Sequence, residues 1–244
     1  MTGQRATPFK GQVSEDLMRE LVFATNAKAQ EEFKRQHGEM IERAVKGLTA
    51  AHDALDLLRQ RLKGKGDPQV AVIEMFSHSA INSVLCATHH LISGYPIASG
   101  NLLRHYTEAV AMMLLCLDDS SGVLQRFTSD MKKFPVHDAP NMLRNKKRSA
   151  ALKRLIDFDA EAWEKVLTLK GNLYDPLSHA AALSLAHEAM LSTANTSILG
   201  SEYDQAKTDA YAKELSRCAT SAESLQQLIV VIGSALVKAK GVLD

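Results

Sequence analysis

Residues Ala109 to Leu117 read AVAMMLLCL, nine positions without one polar side chain. Alanine, methionine and leucine are strong helix formers, so the run predicts a helix. A helix that is apolar all round must be covered on every side, which requires a protein with several helices around this one. Upstream, NLLRHYTE places Arg104, His105 and Glu108 on the same helix. Arg104 and Glu108 lie one turn apart on a stripe that continues through Ala111 and Leu115, which points both charges toward apolar surroundings.

The rest of the chain supplies the covering helices. Aromatic residues are only 5% of the sequence, and alternating β-branched runs between turn signals are missing. The fold class is therefore all-α: a multi-helix bundle with long central helices and a long C-terminal helix. Periodicity predicts helices over 14–37, with Gly38 as a stop, over 39–62, and over 69–93. A fourth, carrying the apolar run, ends near Asp118, and further helices cover 141–157, 159–170, 176–195 and 203–237. KGKGDP at Lys63 to Pro68 is the clearest loop, with Asp67 as cap and Pro68 at the first helical position. The expected organisation is an N-terminal helical pair over 1–66, serving as cover or dimerisation element, and a central bundle over 67–244.

Lys and Arg number 29 against 28 Asp and Glu, so no global field recruits nucleic acid or an anionic membrane. The longest apolar runs, Ala109–Leu117 and Leu228–Val237, fall short of the ~20 residues a bilayer span needs. The N-terminus lacks the apolar stretch of a signal peptide. Three cysteines, Cys86, Cys116 and Cys218, lack paired spacing and suit a reducing compartment. A cytoplasmic protein without a membrane partner is expected.

Polar residues recur where apolar ones belong. Glu74, His78, Asn82 and His89 share one face of the third helix, and Tyr174, Ser178 and His179 open the helix that starts at Pro176. A hydrogen-bonded Arg–Glu pair can approximately break even in a core, whereas an unpaired charge costs several kcal/mol. Arg104 with Glu108 reads either as a buried ion pair fixing register or as an Arg held by Glu108 to bind a phosphate or carboxylate. No metal site is expected: di-iron bundles use Glu-x-x-His, and this chain offers the reversed His105-x-x-Glu108 and the wider Glu74-x-x-x-His78. No P-loop, dinucleotide fingerprint, nucleophile elbow or zinc pattern occurs, so no cofactor is expected. Lys132 to Arg154 holds eight cations, among them Lys146, Lys147 and Arg148, against one acid, Asp138. That segment reads as a solvated helix face, or as a non-specific contact to a phosphate backbone.

GNLLRHYTEAVAMMLLCL resembles a helix of a family of bacterial all-helical proteins marked by Arg-x-x-x-Glu in an apolar run. LYDPLSHAAAL resembles that family's Tyr, Ser and His cluster, and ILGSEYDQAKTDAYAKELSRC its loop into a long final helix. The resemblance extends to the wider HEPN group of helical bundles, which includes dimeric RNA-cleaving toxins and defence nucleases. Those nucleases place a His four to six residues beyond an Arg; here Arg104 is followed at once by His105, and the Arg nearest upstream of His179 is Arg154. The resemblance implies a homodimer and a site at Arg104, Glu108, Tyr174, Ser178 and His179, with His78 and Asn82 as further candidates from the third helix. The leading expectation is a binding or regulatory module for an anionic ligand, a nucleotide or an RNA phosphate, in stress or phage defence. The alternatives are a divergent ribonuclease and a purely structural or partner-binding bundle. In the ribonuclease His179 is general acid or base, Arg104 stabilises the phosphorane charge and Glu108 orients it.

Overall fold

The computed structural model describes residues 26–63, 66–174 and 203–241. Asp67 and Pro68 start a helix as their chemistry dictates: Pro68 needs no N–H partner, and the Asp67 carboxylate accepts from the Gln69 backbone N–H at 2.8 Å. Lys240, at the far end of the chain, closes on the same carboxylate at 2.5 Å. Burial pushes the Asp67 pKa up, but the Lys240 ammonium and the Gln69 N–H outweigh it and hold the carboxyl below its usual range. One cap thus ties the last helix to the second.

Eight α-helices are present among the described residues, and no strand: α1 (Ala27–Arg61), α2 (Pro68–Ile92), α3 (Pro96–Leu117), α4 (Val123–Ser129), α5 (Ala139–Met142), α6 (Lys146–Ile156), α7 (Ala160–Leu169) and α8 (Thr208–Ala239). The all-α bundle with a long C-terminal helix is what the sequence predicts. Helices α2 and α3 form an antiparallel hairpin whose turn places Gly94 at φ 85° and Pro96 in the first turn of α3. Helices α1 and α8 run parallel: Phe33 stacks on Tyr211, Arg43 pairs with Glu223 and Leu58 meets Gly233 in successive layers. Tyr106 on α3 donates to the Ser221 carbonyl of α8 at 3.2 Å. The four long helices share a core that contains Ala51, Leu55, Ile73, Ala80, Met112, Leu115, Leu225 and Ile232.

Residues 109–118 of α3 and its C-cap are all buried. The four long helices leave one side of α3 open, and the short helices α4 to α7 close much of it. Phe127 of α4 packs on Phe76 of α2 at 5.3 Å, and the Trp163 indole of α7 donates to the Pro140 carbonyl of α5 at 3.1 Å.

Three boundaries differ from the sequence expectation. The expected break at Gly38 falls one residue earlier, as a non-helical kink at His37, φ −133° and ψ 21°, that divides α1 into two segments. The His37 ring is buried and shares a 2.9 Å hydrogen bond with the Tyr203 hydroxyl. Burial lowers the His37 pKa. The expected 141–157 helix is two pieces, because Asn145 caps α6 by accepting from Lys147 N–H at 3.0 Å. The last helix begins at Thr208, after a 3-10 turn that Asp204 caps. Within the expected 1–66 unit, the described helix is a wall of the bundle, since Ala51, Leu55, Leu58 and Leu62 lie in the common core. The expected 176–195 helix, and the start of the 14–37 helix, lie outside the described residues.

Apolar runs alone suggested that no segment suits a bilayer. Pro68–Ile92 and Gln205–Ala239 are nevertheless long and apolar enough to cross one, with mean hydropathy 1.4 and 1.3 in their most apolar windows. Both are packed against other helices of the bundle.

Gly47 lies at a close approach of α1 and α8. A Cβ there would lie 2.9 Å from the Ala222 Cβ and from the Glu223 backbone nitrogen. Gly47→Ala is therefore expected to destabilise the protein by about 1–3 kcal/mol despite alanine's better helix propensity. Gly38→Ala, with nothing within 4 Å, is expected to be neutral or stabilising by up to about 1 kcal/mol. Urea denaturation midpoints of the two variants read the difference.

Candidate binding site

The first half of α3 is where full burial gives way to a site. Arg104 Nε and Glu108 Oε1 stand 3.1 Å apart, with side chains 20% and 13% exposed. The Arg104 N–H is not aligned on Oε1, so charge rather than a directed hydrogen bond holds these two atoms together. Arg precedes Glu here, the less favourable order along a helix. The pair is thus poorly suited to serve merely as helix reinforcement.

The neighbouring stripe of α3, Leu103, Tyr106, Thr107, Val110 and Leu114, floors a groove of about 640 Å³. Its apolar wall comes from Phe158 and from Trp163, Val166 and Leu169 of α7. The remaining lining comes from α8, polar through Ser216, Arg217, Thr220, Ser221, Ser224 and Gln227 and apolar beyond them through Leu228 and Val231. These recur every three or four residues, which places them on one helical face. Arg217 pairs with Glu214 one turn earlier. Burial pushes the Tyr106 phenol above its ordinary range, so its hydroxyl stays protonated and donates to Ser221. The dimensions and a mostly apolar lining with a few polar groups from α8 fit a small-molecule site.

The expected site residues separate in space. His78 joins α1: its Nε2 meets the Arg59 guanidinium, which also lies 3.6 Å from Glu74 and 3.4 Å from Asp56. Burial, with Arg59 and His52 adding to it, lowers the His78 pKa. Asn82 lies on the exposed side of α2. Tyr174 ends a π turn, Lys170–Tyr174, which packs on α3, while Ser178 and His179 lie outside the described residues. Among the described residues no group of three or more His, Cys, Asp or Glu is placed to hold a metal.

The basic segment is solvent-facing. Lys146, Lys147, Lys153 and Arg154 of α6 are exposed, and among the described residues no ion pair reaches them. Arg148 donates to the Met142 carbonyl at 3.4 Å. Of the acids downstream, Glu164 pairs with Arg144 of the same basic segment at 2.9 Å and Asp159 caps α7.

The groove residues of α8 and α7 were not singled out from sequence, although a signal existed. The hydroxyls and Arg217 form a polar stripe through the middle of α8, and Trp163 is the chain's only tryptophan.

No protein-family model matches the chain, and no curated protein or solved structure resembles it significantly, so geometry carries the functional reading. If Arg104 and Glu108 act as a unit, Glu108→Gln costs about 1–3 kcal/mol by leaving a mostly buried guanidinium short of its countercharge. A double-mutant cycle with Arg104→Met is then expected to return a coupling of about 1 kcal/mol or more in chemical denaturation. Additive effects would show that the two side chains act separately.

Proposed function

We propose that this chain is a binding module whose groove between α3, α7 and α8 takes a small amphipathic anion with an apolar body and one acidic group. The observation that supports this reading is the groove's two-sided chemistry. Trp163, Val166 and Val110 offer an apolar wall, while Arg217 and a ladder of hydroxyls line α8. An apolar body gains roughly 25 cal/mol for each Å² it removes from water. A single acidic group exchanging its water for Arg217 fixes orientation through a charge-assisted hydrogen bond.

Dansyl-undecanoic acid, an apolar fluorophore-bearing chain with one carboxylate, is the probe. Saturable binding at one site per chain is expected. Thr220 is exposed on the groove wall, so Thr220→Trp fills the groove without disturbing the core. This variant should bind at least ~10-fold more weakly at unchanged melting temperature, and Arg217→Met should weaken the acid about 10-fold but spare the methyl ester. Absence of saturable binding, or equal binding by Thr220→Trp, rejects the groove as the site.

A second reading rests on α6. Five cations in eleven residues, four of them exposed and without ion pairs, form a local patch on a chain of net charge +1. Such a patch suits the phosphate backbone of a single-stranded RNA, with no base specificity. Fluorescence anisotropy with a labelled oligouridylate is expected to show affinity that falls steeply with salt. Lys146→Glu combined with Lys147→Glu should abolish it, and undiminished affinity in that variant would exclude the patch.

A further inference from the structure

The hydroxyls of the groove differ from most others in the bundle. A serine or threonine inside a helix can turn its hydroxyl back on the carbonyl four residues earlier. Thr49, Ser77, Thr88, Thr107, Thr128 and Thr168 all do so, and so does Ser234 on α8 itself. The side chains of Ser216, Thr220, Ser221 and Ser224, which line the groove from the same helix, make no hydrogen bond among the described residues. The Gln227 carboxamide, one turn beyond them, is equally unengaged. Thr220, Ser224 and Gln227 are exposed and Ser216 is half-buried, so in the open groove solvent is their partner.

Ser216, Thr220 and Ser224 follow one another at intervals of four residues, a rise of about 6 Å each, and Gln227 extends the row to about 16 Å. A ligand that fills the groove strips water from this row. A plain hydrocarbon body would leave the hydroxyls dehydrated and unpartnered, which offsets the gain from its own burial. A body with hydroxyls along its facing edge exchanges each lost water bond for a direct one, while its other face lies on Trp163, Val166 and Leu169 of α7. Val166 and Leu169 are each 37% exposed, so α7 has apolar surface left to cover.

The position of the charge follows from the same helix. Arg217 gives Glu214 its Nη1, and its Nε and Nη2 stay available to a second acceptor. Asp159, the acid that lines the groove, is taken up by the Glu161 and Ala162 N–H groups at 2.9 and 3.0 Å. Arg217 stands at the Ser216 end of the row, so an acidic group belongs at that end and hydroxyls follow toward Gln227.

We infer, on the reading that this groove is the binding site, that its ligand is a rigid polyhydroxylated carboxylic acid whose hydroxyls share one face. Hydroxyls held at fixed intervals meet the row without a further loss of conformational freedom on binding. A site that pairs with hydroxyls rejects the analogue lacking them far more strongly than an apolar wall discriminates by size.

Cholate is the probe: a rigid ring skeleton with hydroxyls on one face, apolar groups on the other and a carboxylate at one end. Lithocholate has the same skeleton and carboxylate but only one hydroxyl, and is the more apolar of the two. Both compete with dansyl-undecanoic acid for the full chain, below their micellar concentrations. Cholate is expected to displace it at a concentration at least ~10-fold lower than lithocholate, against the order of their hydrophobicity. Thr220→Val combined with Ser224→Ala, both at exposed positions, should erase that preference at unchanged melting temperature. Lithocholate binding as tightly as cholate, or neither acid displacing a dansyl probe that itself binds, overturns the hydroxyl row as the recognition element and leaves the groove standing as a site. A preference for cholate that survives in the double variant overturns the row too. Absence of saturable binding by the dansyl probe removes groove and row together.

Discussion

The fold depends on the burial of α3 around its whole circumference. From Ala109 to Leu117 every side chain is withdrawn from water, and each large one contributes roughly 1.5–3 kcal/mol only if a neighbour covers it. Helices α2 and α8 cover two sides, and α1 reaches the same core through Leu55 and Leu58. The remaining side requires the irregular stretch between Asp118 and Lys170, whose short helices would have no reason to be stable alone. Phe127, Leu143, Leu152, Trp163 and Leu167 each leave one short helix to enter the common core. The short helices exist because the apolar run of α3 needs a roof.

Among the described residues that roof ends over the first half of α3, where the groove lies. The same helix that is sealed at Met112 borders the groove through the buried Leu103, Thr107 and Val110, with Trp163 and Arg217 beside them. A groove at the edge of a rigid core is pre-formed, so a ligand does not have to order its own pocket. Arg104 and Glu108 lie on the next stripe of the same helix, where burial is incomplete. Their proximity to the groove floor is a direct result of helical periodicity, which sets adjacent stripes about one residue apart.

The architecture was legible in sequence because it is written in periodicity and caps. Asp67-Pro68, Asn145 and Asp159 act as their residue types dictate, and the apolar circumference of α3 identified the centre of the bundle. Gly38 marked the kink in α1 to within one residue, the non-helical backbone falling at His37. The Arg104–Glu108 pair could be inferred from one helical turn, a local relation. The association of α3 with Arg217, Thr220 and Trp163 could not, because it depends on which helix faces lie opposite each other after folding. His78 illustrates the same limit: its face on α2 was correctly read as one stripe, but the partner was Arg59 of α1.

The groove floor and the exposed side of α2 belong to the two arms of one hairpin, which raises the question of whether they are coupled. Coupling needs an element with two arrangements that both surfaces bias. The interior of the hairpin offers none among its hydroxyls. Ser77, Thr88 and Thr107 each donate to the carbonyl four residues earlier on their own helix, at 2.8, 2.9 and 3.0 Å, while the Gln69 carboxamide of α2 crosses to the Cys116 and Leu117 carbonyls of α3 at 2.9 and 3.1 Å and ties the two arms together at one end. Between them lie Ile73, Ala80, Val84, Ala109 and Met113, close-packed apolar groups that resist small displacement. The groove floor on α3 and the outer face of α2 are therefore separated by a close-packed layer, and each surface answers to its own chemistry.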